Sequence, residues 1–190
     1  MKRRKAERTR EKIINTFYQL NLDLTRPLST VPEICDALDI SVSTFYCHFS
    51  GINDLIEQES EKLKDFWNDF TEEYKRNATY ATPATIFPRE LVAAIVRGYL
   101  NRRTEHLVLM RPDFNLPFRE YLKNLVISNS AIHTKFISKT AAEYVKTYLA
   151  EGGTTTIFHY LEKGDMSESD FVDLLYSMSI AIIREAEKWH

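Results

Sequence analysis

Ser29-Thr30-Val31-Pro32-Glu33-Ile34-Cys35-Asp36-Ala37-Leu38-Asp39-Ile40-Ser41-Val42-Ser43-Thr44-Phe45-Tyr46-Cys47-His48-Phe49 is the stretch whose reading decides the fold. Thr30 and Glu33 have capping-box spacing: the hydroxyl can accept the Glu33 amide while the carboxylate reaches back. Pro32 falls in the first turn, where its missing N–H costs no intrahelical bond. Ile34, Ala37 and Leu38 then recur at helical spacing and supply one apolar face. Ser41 can cap a second helix, in which Phe45 and Phe49 lie four apart and point inward. Val42, Ser43, Thr44, Tyr46, Cys47 and His48 remain on or near its outer surface. Upstream, Ile13, Phe17, Leu20 and Leu24 predict a third helix over Thr9–Leu24. Two short helices joined by a tight turn have the outline of a helix-turn-helix, whose second helix can enter the major groove of DNA. An αα-hairpin packed in a core has the same outline.

Charge bears on that choice. Residues 1–12 carry Lys2, Arg3, Arg4, Lys5, Arg8, Arg10 and Lys12 against Glu7 and Glu11, a net of +5. The whole chain is −2, which leaves −7 for residues 13–190. A basic arm leading into a helix-turn-helix suits phosphate tracking, and the acidic remainder would be repelled by DNA. A solvated tail is the alternative reading of such a run.

From Thr9 to Ile56 the chain resembles the N-terminal domain of the TetR family of bacterial transcriptional regulators. The resemblance is strongest over Ile40-Ser41-Val42-Ser43-Thr44-Phe45-Tyr46-Cys47-His48-Phe49 and the following Leu55-Ile56. It implies an all-α protein: a three-helix DNA-binding head with its basic arm over residues 1–56, then a helical ligand-binding and dimerisation domain over 57–190. It further implies a homodimer on a palindromic operator, a repressor released by a small molecule. The DNA-contact set is then Lys2, Arg3, Arg4, Lys5, Thr30, Ser41, Val42, Ser43, Thr44, Tyr46 and His48, with Tyr46 and His48 at phosphates. Three positions depart from the family pattern. Asp39 stands where Gly is common, so the turn requires a strained or different geometry. Val42 and Ile52 each replace a frequent lysine, which moves the electrostatic burden onto the N-terminal arm.

The rest of the chain reads as helices. It has 190 residues, 44% of them apolar, with five Gly and six Pro, enough for a substantial core in an all-α protein. Leu55 to Tyr74 marks a long amphipathic helix, and 77–88 reads as a loop. Arg89–Met110 is helical with a break near Arg103-Thr104, and Arg111–Pro117 is a second break. Helices over Phe118–Ser128 and Ala131–Lys163 follow, the latter ended by Gly164. Ser167 and Asp170 cap the last one, whose apolar face carries Phe171, Leu174, Leu175, Met178 and Ile182. Gly152-Gly153 inside the long helix costs about 2 kcal/mol relative to two alanines. Either the helix breaks there, or the pair admits a close helix contact at a dimer interface.

No chemistry of catalysis is visible. There is no Gly-rich phosphate loop, nucleophile elbow or catalytic cysteine context, so an enzyme is not expected. Cys35 and Cys47 lack metal or redox spacing, and His159 with Glu162 is a lone pair of possible ligands, so neither a metal nor a cofactor is expected. No apolar run approaches the ~20 residues of a membrane span, and no apolar h-region follows the basic start, which predicts a cytoplasmic protein without membrane contact. Aromatic residues crowd the body, and most serve a core. A subset, Tyr99, His106, Phe118, Tyr121, Phe136, Tyr144 and Tyr148, could instead line a pocket for a mostly apolar or aromatic small-molecule effector. The rival reading of the body is an adaptor that binds a partner protein while the head anchors it to DNA.

Overall fold

The computed structural model describes residues 2–77, 88–111, 118–129 and 138–188, with residues 2, 3, 77 and 129 described by backbone alone. Helices account for all the regular structure among the described residues: α1 (Lys2–Asn21), α2 (Val31–Leu38), α3 (Val42–Tyr46), α4 (Ile52–Asn77), α5 (Arg89–Asn101), α6 (Arg103–Leu109), α7 (Phe118–Asn129), α8 (Lys139–Lys163) and α9 (Glu168–Ala186). The chain is thus all-α.

Helix boundaries follow local chemistry at several ends. The hydroxyls of Thr30, Ser41, Ser138 and Ser167 each accept an amide three residues on, at the starts of α2, α3, α8 and α9. Gly164, at φ 60°, closes α8 in the left-handed conformation that a C-terminal glycine adopts without strain. Several expected boundaries move: α1 ends at Asn21 and not at Leu24, and α4 runs three residues further at each end than Leu55–Tyr74. α1 begins at Lys2 rather than Thr9, because Lys, Arg, Ala and Glu are all good helix formers and no Gly or Pro interrupts them. The basic run is therefore helical. α8 begins after Ser138 rather than at Ala131, and 130–137 lie outside the described residues. The break between α5 and α6 falls at Arg102, whose φ of −125° and ψ of 39° leave the helical region. Gly152-Gly153 does not interrupt α8. Among the described residues, a Cβ on Gly153 would meet nothing within 4 Å and one on Gly152 would meet only the Tyr148 ring at 4.0 Å, so no close approach there requires these glycines.

The molecule divides into two compact units. The first comprises Met1–Phe66 together with Thr104–Leu116. α1 packs on α2 and α2 on α3, and the core holds Ile13, Phe17, Ile34, Phe45, Phe49 and Leu55, all virtually inaccessible. The expected boundary at residue 56 moves ten residues along α4, and a segment from the body joins the head. The reason is its apolar run: Leu107, Val108, Leu109 and Met110 are all buried.

The second unit comprises Trp67–Arg103 and Pro117–His190. α7 packs on α8, and α8 and α5 both pack on α9. Tyr160 stacks on Phe171 with centroids 3.9 Å apart, and Trp67 meets Tyr99 at 4.8 Å. Tyr99 is buried and hydrogen-bonds to buried Thr154; burial pushes its phenol well above the ordinary range. Arg103 Nε donates to the Leu161 carbonyl near the end of α8 at 2.7 Å. Ion pairs from Arg89 to Asp173 and Arg97 to Glu168 link α5 to α9, but their exposure limits each to a small contribution.

Candidate nucleic-acid interface

The α2–α3 pair is assembled from short-range bonds. Thr30 N–H donates to Glu33 Oε2 at 2.7 Å, and Glu33 N–H donates to Thr30 Oγ1 at 3.4 Å, so the expected capping box forms. At the other end of α2, Asp39 adopts φ 51° and ψ 50°. This is the left-handed geometry that glycine would take freely, and an L-residue there carries roughly 1–2 kcal/mol of strain. Ile40 N–H then donates to the Cys35 carbonyl at 3.0 Å, turning the chain into Ser41. Ser41 Oγ accepts the Thr44 amide at 3.2 Å and lies 2.8 Å from both Ser43 Oγ and Thr44 Oγ1.

α3 has two clearly different sides. Phe45 is 0% exposed and Phe49, just beyond the helix, is 1%, with their rings 5.7 Å apart; Tyr46 is 55% exposed and Val42 43%. Ser41, Ser43 and Cys47 are also exposed, while Thr44 and His48 are half-buried. Thr30 is exposed at the start of α2. The surface left open by α3 and its cap is thus built of hydroxyls, one phenol, one aliphatic side chain and the Cys47 thiol. Of the two thiols, Cys35 is buried beneath this corner, and burial pushes it up, so it is a poor nucleophile.

Arg4, Lys5, Arg8 and Lys12 are exposed along α1. Spacings of three and four place Arg4, Arg8 and Lys12, with Lys5 beside them, in one stripe. Lys2 and Arg3 extend the same helix, and their side chains lie outside the description. Arg10 behaves differently: its guanidinium lies 4.9 Å over the Phe49 ring and donates to Gln58 Oε1 at 2.6 Å. Gln58 donates onward to Asp54 Oδ1 at 2.8 Å, and Asp54 Oδ2 accepts the Ser50 amide at 2.7 Å. This cation ties α1 to the exit of α3 instead of facing solvent.

Three carboxylates in the first unit are held below their ordinary range. For Glu33 the backbone amide and then the hydroxyl of Thr30 are responsible; for Asp54, the Gln58 amide and then the Ser50 N–H; for Asp23, the hydroxyl and then the N–H of Thr25. A folded-state pKa below the unfolded value gives stability that is present above about pH 4 and lost as pH falls further. The melting temperature of the first unit should therefore drop as the pH falls below about 4.5. Glu33→Gln keeps the capping box, since Gln can fill the same role, yet removes one titrating group. Melts followed by circular dichroism should show a shallower acid dependence in this variant. An identical dependence would mean that the Glu33 carboxylate is not titrating with folding.

Sequence reading missed two residues that shape this corner. Asn21 is fully buried; its Nδ2 donates to the Phe17 carbonyl and to Ser29 Oγ, both at 2.7 Å, while its Oδ1 accepts the Ser29 amide at 2.9 Å. Arg111, 4% exposed, donates to the carbonyls of Asn21, Asp23 and Arg26. Asn21 reaches Ser29 across an irregular turn that no helical spacing marks, and no local pattern reveals the partners of Arg111, 85–90 residues away.

The expected ligand residues are not gathered around one cavity. Tyr99 and Phe118 are buried in the second unit, where Phe118 stacks on Tyr121 at 6.1 Å and Tyr121 Oη donates to Asn68 Oδ1 at 2.7 Å. His106 is also buried but belongs to the first unit. Tyr144 and Tyr148 are 74% and 62% exposed on α8. The buried side of that helix is set by Ala142, Val145, Ala150, Thr154 and Ile157, which puts both tyrosines on the opposite side. Phe136 lies outside the described residues. An open groove of about 580 Å³ runs between the start of α8 and the end of α9, lined by Ala141, Tyr144, Val145, Ile182, Glu185 and Ala186, with Ser138 and Thr140 at its edge.

Among the described residues no three His, Cys, Asp or Glu side chains could jointly hold a metal ion, and no helix is long and apolar enough to cross a membrane. No protein-family model and no curated protein matches the chain.

Proposed function

We propose that the protein is a homodimeric, sequence-specific DNA-binding regulator of the TetR type, a repressor released from a palindromic operator by a small apolar or aromatic effector. The observation that carries this reading is the capped α2–α3 corner. It buries Phe45 and Phe49 while presenting Ser41, Val42, Ser43 and Tyr46 outward. A helix with that surface can donate and accept hydrogen bonds at phosphates and base edges. The cationic stripe of α1 supplies the sequence-independent attraction that Val42 and Ile52 do not.

Dimerisation finds support on α8 and α9. Tyr144 and Tyr148 on one helix, and Leu174 and Met178 on the other, are large apolar side chains left exposed. Gly152, four residues beyond Tyr148 and exposed, extends the α8 face with little bulk, so a second backbone can come close. The groove beside Tyr144 has an apolar floor, with the Tyr144 hydroxyl and the Glu185 carboxylate as polar handles, and suits a small effector in size.

Selection of bound DNA from a random pool with the purified chain tests the reading. The expected product is a palindrome whose half-sites lie about one turn of DNA, or a multiple, apart. Enrichment of no sequence refutes it. A chain that stays monomeric while it binds DNA would assign the exposed tyrosine face to a partner protein, and the adaptor reading would replace effector sensing.

A further inference from the structure

A buried arginine supplied from far along the sequence holds the corner that leads into α2. Arg111 follows α6 and the buried run Leu107–Met110, and with them it belongs to the first unit. Its Nη1 donates to the carbonyls of Asn21 at 3.3 Å and Asp23 at 3.5 Å, and its Nη2 to that of Arg26 at 2.5 Å. Asn21 ends α1, where the last four carbonyls of a helix lack intrahelical partners and a cation is favoured. The planar guanidinium offers five donors in a fixed fork, so it can serve several carbonyls at once; an ammonium on a flexible stem cannot reproduce that set.

The far side of the same corner is fixed by Asn21, whose side chain grips both the amide and the hydroxyl of Ser29. Ser29 precedes Thr30, the cap of α2. Between Arg111 on one side and Asn21 on the other, the backbone from α1 to α2 has its ends and its middle held. α2 in turn passes through the strained Asp39 turn into α3, so an error at the corner is carried to the outward face of α3 as a rotation or shift. Nothing in this chain of bonds requires Arg111 to meet a ligand.

We propose that Arg111 is the positioning residue of the DNA-binding head: through the α1–α2 corner it sets where α2 and α3 lie, without touching nucleic acid itself. The proposal rests on the DNA-binding reading given above. Its test uses the full chain, as parent, Arg111→Met and Arg111→Lys. Each is measured against the duplex that the parent enriches from a random pool, across a salt series and well below each variant's melting temperature. Amide hydrogen exchange is followed over residues 22–30 in the absence of DNA.

Arg111→Met should bind at least about tenfold more weakly at every salt concentration, with the slope of log affinity against log salt unchanged, because no phosphate contact is lost. Amides over 22–30 should exchange faster. Arg111→Lys, which keeps the charge but not the fork, should fall between, and it carries the test if the methionine variant does not fold. Parent-like affinity in a folded Arg111→Met, or a slope reduced by about one, would overturn the proposal, the latter by showing a direct phosphate contact. A parent that enriches no sequence overturns the DNA-binding reading and, with it, this role in DNA binding. Unchanged exchange over 22–30 overturns the clamp itself, so the two failures are told apart.

Discussion

Replacing Phe45 by alanine should destabilise the first unit by about 3–5 kcal/mol, the usual cost of truncating a buried phenylalanine. Phe45 is fully buried, with the Phe49 ring 5.7 Å away and Tyr46 edge-on at 5.8 Å, so its loss opens a cavity beneath α3. Against a total of roughly 5–15 kcal/mol for a typical domain, that is from about a fifth to all of the stability. Its neighbour should behave oppositely. Tyr46 is 55% exposed, and Tyr46→Ala should leave the melting temperature close to that of the parent. Its effect should appear in DNA affinity, weakened by about 1–3 kcal/mol, the scale of hydrogen bonds to charged groups. Urea denaturation beside equilibrium binding separates the two. A folded Tyr46→Ala chain that bound DNA as tightly as the parent would show that α3 is not the reading helix.

Removing the charges of Arg4, Lys5 and Arg8 together, each to alanine, should weaken binding to all DNA sequences alike. If each side chain neutralises one phosphate, the slope of log affinity against log salt falls by up to about 2.7. Alanine preserves helix propensity, so α1 should persist and the effect should be electrostatic. Arg10 is left in place because its guanidinium lies over Phe49 and bonds Gln58. A salt titration of parent and triple variant decides the matter: an unchanged slope would make the stripe a solvated helix face.

What could be read from the sequence, and what could not, divides by the distance over which the deciding contact acts. The caps at Thr30, Ser41 and Ser167 are contacts between residues three apart, so their spacing shows them directly. Phe45 and Phe49 declare their inward side through a four-residue interval. The abnormal turn at Asp39 also shows, because a non-glycine residue stands where a left-handed backbone is needed.

Other features escaped for equally physical reasons. The basic run suggests a tail when charge is weighed, yet its residues are strong helix formers and α1 extends through them. Tyr144 and Tyr148 look like residues of an enclosed pocket until the small side chains of α8 are seen to occupy its buried side; Tyr144 then borders only an open groove. Arg111 is a charge beside a proline, ordinary for a loop, and its role depends on carbonyls 85–90 positions away. Periodicity reports one helix at a time and is silent on such pairings.

The two-piece first unit also has a consequence for the order of events during synthesis. Residues 1–66 leave the ribosome well before 104–116, with about 50 residues between the end of the first piece and the end of the second. At about 5–20 residues per second, the earlier piece waits roughly 3–10 s for the strip that completes its core. Through that interval the surface destined for Leu107–Met110 stays open to water or to a chaperone, and the carbonyls destined for Arg111 remain hydrated. Closing a loop of that length is slow compared with forming a helix. The nascent protein therefore passes through a stage with its helices formed but its N-terminal unit unfinished.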